Sequence, residues 1–372
     1  MAVMEAHEAA QQLGERVKGA RERAGLTQEE LARRVRVERT AINKMERGTR
    51  KVSAVELSEI AHALGVKMTA FFEEPTPAVV AYRSAHGLAV EGTRLTGMAE
   101  KLAADVEFVQ SLTDIGGMEE TPWPLITSQE EAERMARQLR GLWGLQETEP
   151  ALGLVGLASR IGLYAFSEEL GDDVAAAAVI ALKQGGVALI NSSNKVGRRR
   201  LALAHEVGHY LIGDSYSVEA RGISGNKTEE YLDYFARAVL LPQAAVEEQW
   251  SRWVEQHGLR GAAVLAAGTY HVDMSTLARR LSDLGVIDAQ QAGAIRTEHT
   301  TKADMVEFDL YPGSELEGTT QPRAFQQAVL LLVRREQISR ERALELLGGL
   351  FSTEDLPQPE LKGKNAVWEY VS

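Results

Sequence analysis

The stretch Arg198-Arg-Arg-Leu-Ala-Leu-Ala-His205-Glu206-Val-Gly-His209-Tyr-Leu-Ile-Gly213 decides how the longer part of this chain is read. Its apolar spacing and closing Gly213 predict a helix. In a helix, positions four apart lie about 40° from each other around the axis, so His205 and His209 aim their imidazoles at one point. That is two-thirds of a protein metal site. Glu206 sits one step round from His205, close enough to take a proton from a water at that point without joining the ligands. So short a pattern also arises by accident, and the surrounding residues have to decide.

The chain has 372 residues, 8 His and no Cys. Without Cys there is no disulfide framework, thiolate-bound zinc, iron–sulfur cluster or thiol nucleophile. Any metal therefore sits on His, Asp or Glu, and the third ligand is sought among downstream carboxylates. Gly225-Asn-Lys-Thr-Glu229-Glu230-Tyr-Leu-Asp233-Tyr-Phe235 reads as a second helix, capped near Thr228 and stopped before Pro242, with Leu232, Phe235, Ala236, Val239 and Leu240 as its core stripe. Glu229 and Asp233 are four apart and share a face. The competing Glu230 lies about 100° round with no partner carboxylate beside it, which favours Glu229. Tyr210, Tyr270 and His271 are secondary candidates for stabilising developing negative charge. Upstream, residues 178–182 and 187–191 flank a turn at Lys183-Gln-Gly-Gly186 and predict a β-hairpin. An edge strand there offers an extended substrate main-chain pairing, the alternative being a purely structural hairpin.

Charge divides the chain. Its net charge is −12, yet the first 72 residues hold 13 Lys and Arg against 10 Asp and Glu, a surplus of +3 that leaves −15 on the remainder. Glu73-Glu74-Pro75-Thr76-Pro77 follows at once and cannot continue a helix. Further polar, Gly- and Pro-rich stretches lie at 116–124 and 357–364. Before residue 73 the periodicity predicts five short helices. Thr27 and Glu30 have capping-box spacing, Ser53 caps the fourth helix, Gly48 ends the third, and residues 66–72 form the fifth. On the third helix Ala41, Ile42 and Met45 point inward, leaving Arg39, Thr40, Asn43 and Lys44 outward together. A short helix with such a face suits the major groove of DNA.

Two resemblances follow from these blocks. Gly25-Leu-Thr-Gln-Glu-Glu-Leu-Ala32, Ile42-Asn-Lys-Met-Glu-Arg-Gly48 and Leu57-Ser-Glu-Ile-Ala-His-Ala-Leu-Gly-Val66 resemble the Cro/CI-type (XRE) helix-turn-helix domain. That resemblance implies that Gln28 binds a DNA phosphate and that Arg39, Thr40, Asn43 and Lys44 read or position bases of a double-stranded operator. Glu38 stands where the family usually has Ser, Thr or Asp as the recognition-helix cap. Tyr82-Arg83-Ser84, Ala136-Arg-Gln-Leu-Arg-Gly-Leu-Trp-Gly-Leu145, the His205 block, residues 229–242 and residues 266–287 follow in order the pattern of the ImmA/IrrE metallopeptidases. This implies zinc, with manganese as the alternative, on His205, His209 and Glu229. It also implies Glu206 as general base and Asp233 as the residue that hydrogen-bonds the first motif histidine. The chain departs from the family at Leu201-Ala202, often Phe-Thr, at Gly213, often His, and at Leu232-Asp233, usually Ala-Asn.

The expected fold is multidomain and mainly α. A λ-repressor-like helix-turn-helix domain occupies 1–74, a linker and connector 75–130, and an α+β gluzincin-like core with a small β-sheet 131–255. An HTH-like subdomain with Ser275 as a cap follows at 256–300, and helices for interaction or sensing at 301–372. The longest apolar run, at 174–182, is far short of the ~20 residues that cross a membrane, and residues 1–12 have no signal-peptide core. The expectation is a cytoplasmic regulator, a homodimer with no membrane contact. Its peptidase, active or latent, would cut a repressor- or antitoxin-type protein, or a like chain near 73–78, in a stress, phage or mobile-element response. The alternative is a DNA-binding repressor or antitoxin whose metal domain is a non-catalytic sensor or interaction module.

Overall fold

The computed structural model describes residues 2–23, 26–64, 68–71, 80–83, 92–113, 115, 123–171, 177–213, 224–311 and 313–358. The linker expected at 73–77 and the stretch 116–122 lie outside these residues. The chain divides into two units: Met1–Pro77 with Leu88–Met98, and Ala78–Gly87 with Ala99–Ser372.

In the first unit α1 (Ala2–Arg23), α2 (Gln28–Arg34), α3 (Arg39–Glu46) and α4 (Ala54–Leu64) close around Val17, Leu31, Ile42, Met45, Ile60 and Phe71. The capping box is present: Thr27 accepts from the Glu30 backbone N–H and the Glu30 carboxylate accepts from that of Thr27. Ser53 and Glu56 make the same exchange at the start of α4, at 3.2 and 2.9 Å. The expected fifth helix is a single 3₁₀ turn, Met68–Phe71. Glu38 does not act as a side-chain cap for α3. Its carboxylate instead accepts from the Thr40 hydroxyl at 3.1 Å. Gly14 lets α1 touch α3, since a Cβ there would lie 2.4 Å from the Met45 carbonyl oxygen.

The second unit is built on a four-stranded sheet. Its strands are β1 (Val80–Arg83), β2 (Leu163–Glu168), β3 (Ala177–Ala181) and β4 (Gly186–Asn191), in the order β1-β3-β4-β2. β3 runs antiparallel to both neighbours and β2 parallel to β4. Both faces of the sheet are buried, so its strands read as near-continuous apolar runs rather than alternating ones. Leu163, Ala165, Ala177, Val179, Ala188 and Ile190 face one helical core. On the other face the Tyr164 hydroxyl donates to the Ile115 carbonyl, and Phe166 meets Phe325 edge-on at 5.4 Å.

Helices α5 (Gly92–Leu112), α6 (Gln129–Leu142) and α7 (Leu154–Arg160) precede or punctuate the sheet, and α8 (Val196–Ile212) leaves β4 to run back beside β3 and β4. Next come α9 (Ser224–Leu240), five residues longer at its start than the Thr228 cap implied, and α10 (Gln243–Tyr270), kinked at Gly258. α11 (Met274–Asp283) begins at Asp273, which accepts from the Thr276 N–H, so Asp273 and not Ser275 is its cap. α12 (Ala289–Thr297), α13 (Lys302–Glu307), α14 (Arg323–Arg334) and α15 (Arg340–Leu346) complete the unit. Buried Arg280 on α11 pairs with Glu133 on α6 at 2.8 and 3.0 Å, a contact spanning 147 residues. A buried ion pair fixes position more than it adds stability.

Candidate metal centre and nucleic-acid interface

Two helices make the metal centre. α8 carries His205, Glu206 and His209, all buried, and α9 crosses it with Glu229 and Asp233 on one face. Gly208 permits the crossing: a Cβ there would come within 2.7 Å of Leu232 Cδ2 and 3.0 Å of Phe235 Cδ1. His205 Nε2 and His209 Nε2 are 3.1 Å apart, and each faces a Glu229 oxygen, at 3.3 and 3.5 Å. Nitrogen and oxygen ligands about 2.0–2.2 Å from a tetrahedral zinc are about 3.3–3.6 Å from one another. Glu229 meets the two imidazoles through different oxygens, Oε2 towards His205 and Oε1 towards His209, and one ligand atom from each residue lies within 4.8 Å of the others, a grouping that such an ion can draw together. Glu230 is exposed and stands outside the group.

The protonation pattern fits as well. Asp233 Oδ1 lies 2.9 Å from His205 Nδ1, which holds the proton on Nδ1 and leaves the Nε2 lone pair facing the centre. Burial pushes the Glu229 carboxyl up, but with the imidazoles protonated the hydrogen bonds from His205 and His209 and their charge outweigh it and hold Glu229 well below the usual carboxylate range. Glu229 is thus ionised before the imidazoles give up their Nε2 protons, and a cation would take the place of those protons.

Two secondary candidates are committed elsewhere. The Tyr210 hydroxyl donates to the Ile161 carbonyl at 2.9 Å, and Tyr270 donates to Thr148 at 2.8 Å. Both hold loops together. His271 sits beside Gly313 and Val196, at the opposite end of α8 from His209, where burial and the Arg200 guanidinium push its imidazole down. The hairpin β3–β4 is present, but neither strand is an edge: β1 covers β3 and β2 covers β4. The pairing edge expected for a substrate is taken.

In the first unit α3 presents Arg39, Thr40 and Lys44 to solvent, with Asn43 half-buried. A network at its base was not read from the sequence. Arg21 binds Glu46 through Nε at 2.6 Å and Nη2 at 3.2 Å, Gln28 Nε2 donates to Glu46 at 2.7 Å, and Asn43 Nδ2 donates to Gln28 Oε1 at 3.4 Å. Gln28 thus orients Asn43 while its backbone N–H stays at the start of α2, where a phosphate is favoured. Glu46, four residues after Ile42 on the inward stripe, was the available signal: a charge on an apolar face needs a partner.

Comparison with protein families agrees with this division. Residues 17–71 match the model described as Helix-turn-helix, and residues 161–282 match the IrrE N-terminal-like domain of the M78 peptidases. The chain joins a DNA-binding domain of the first kind to a peptidase-type domain of the second. Comparison with curated proteins returns no match.

Proposed function

We propose that this chain is a transcription regulator whose second unit is a zinc-dependent endopeptidase. The observation that carries the reading is the grouping of His205 Nε2, His209 Nε2 and Glu229, with Glu206 buried on the same turn of α8. His205, His209 and Glu229 would hold the ion, and two His with one carboxylate is the ligand set of catalytic zinc sites such as thermolysin's. A bound zinc, or manganese in its place, supplies Lewis-acid polarisation of a peptide carbonyl. Glu206 takes the proton of the attacking water and returns it to the departing amide nitrogen. Asp233 keeps the His205 ring turned for this task. The substrate class is a repressor- or antitoxin-type protein, or a second copy of this chain cut near 73–78, in a stress, phage or mobile-element response. Gln28, Arg39, Thr40, Asn43 and Lys44 hold the operator, with the chain acting as a homodimer on two half-sites, and the reading assigns it to the cytoplasm, where operator DNA is.

The test is metal analysis with an assay. The purified chain, stripped by chelator, takes up one zinc and regains hydrolysis of an unfolded protein. Glu206→Gln keeps the zinc and loses about 10²–10⁴ in kcat/KM. Stoichiometric zinc with equal hydrolysis in parent and variant removes Glu206 from the chemistry, and zinc without any hydrolysis returns the domain to a sensing role.

A further inference from the structure

We propose that β1 is a built-in occupant of the substrate-pairing edge: Val80–Arg83 closes β3 in the resting chain, and an extended substrate reaches that edge only by displacing it. The proposal rests on the peptidase reading above and names how its site is regulated.

The sheet carries the argument. β3 pairs with β4 on one side and with β1 on the other, in the register Val80 with Ile180 through Arg83 with Ala177. Without β1, β3 is an edge whose unpaired N–H and C=O groups accept any extended chain, whatever its sequence. This edge lies beside the metal helix. β3 packs against α8, the helix that carries His205 and His209. The opposite edge of the sheet is two strands farther away and is stitched to another segment, since Ser167 and Thr320 exchange backbone hydrogen bonds at 3.0 Å in both directions.

β1 is also remote in sequence: the other three strands fall within residues 163–191, whereas β1 arrives from some 80 residues upstream. Four residues is at the short end for a strand. So short a strand offers few ladder hydrogen bonds, which makes it displaceable.

The absence of Cys allows a clean test in the full-length chain. Ala81→Cys with Val179→Cys joins register partners by a disulfide that reductant opens. Ala81→Pro with Tyr82→Pro removes ladder donors and frees the edge. In a zinc-loaded Glu206→Gln background, which consumes no ligand, the probe is a fluorescein-labelled peptide with the sequence of residues 78–87, Ala-Val-Val-Ala-Tyr-Arg-Ser-Ala-His-Gly. The proline variant is expected to bind it at least tenfold more tightly than the parent, with faster deuterium uptake across residues 177–181. The disulfide form is expected to bind at least tenfold more weakly than its reduced form. If the proline variant loses its thermal transition, the disulfide pair alone decides. Peptide affinity unchanged between oxidised and reduced forms overturns the proposal. With Glu206 restored, hydrolysis that tracks peptide binding supports both readings. Binding that tracks β1 with no hydrolysis in any form supports the strand and overturns the peptidase.

Discussion

Asp233 lies behind His205, with Oδ1 2.9 Å from Nδ1, and its carboxylate decides which nitrogen of that ring faces the candidate metal centre. Removing the acceptor frees the ring to rotate and to exchange tautomers. Asp233→Ala is expected to weaken zinc binding about 10–100-fold, measured by chelator competition, with Asp233→Asn in between because the amide oxygen still accepts. A residue in the other unit sets a pH dependence. Glu56 accepts the Ser53 backbone N–H and a hydrogen bond from Arg50, which against a small burial cost pull its carboxyl from 4.5 to about 2. The folded value lies below the unfolded one, so its contribution is complete above about pH 4.5 and is lost as pH falls towards 2. Glu56→Gln should cost the first unit about 0.5–1 kcal/mol at pH 7, a cap contribution discounted for solvent, and progressively less below pH 4.5. Denaturant titrations of both proteins at pH 7 and pH 3.5 read the difference, and an equal gap at both values speaks against the carboxylate as its source.

At the scale of elements, α9 delivers Glu229 to α8 only because Gly208 lets the two helices approach. Gly208→Ala drives a methyl into Leu232 and Phe235, both fully buried, at a cost of about 1–3 kcal/mol. The displaced helix carries the third ligand with it, so zinc affinity should fall along with the melting temperature. A lower melting temperature with unchanged zinc affinity means that α9 relaxes without moving Glu229. The helix faces were legible in the sequence because helical period converts spacing into direction: His205 with His209, Glu229 with Asp233, Ile42 with Met45 inward and Lys44 outward. The order of strands was not. A hairpin is a local contact, whereas β1 joins β3 across some 95 residues and Arg280 reaches Glu133 across 147, and no local period encodes such partners. Caps erred for a related reason. Asp273 and Ser275 are both good cap residues, and packing, not propensity, chose between them.

At the scale of the molecule, acidity and DNA binding cease to conflict once the charge is divided, because a +3 head is joined to a −15 remainder. Each unit also has its own core, one around Ile42 and Phe71 and one around Leu203 and Phe235. The α3 face proposed for DNA and the His205–His209–Glu229 group proposed for metal belong to different units, so the two activities should separate by substitution. Arg39→Ala with Asn43→Ala removes two groups of the α3 face, each worth about 1–3 kcal/mol at a base contact, and operator affinity should fall about 10²–10⁴-fold at fixed salt. Lys44→Ala should weaken all sequences alike and flatten the salt dependence by about one counterion. Both variants should hydrolyse a protein substrate at the parent rate, whereas Glu206→Gln should retain the parent's gel shift while losing hydrolysis. Parallel gel-shift and peptidase assays on the three full-length proteins check this crossed pattern. A DNA-face variant that also changes hydrolysis breaks it, and the place to look is then β1, the strand proposed above to close the β3 edge.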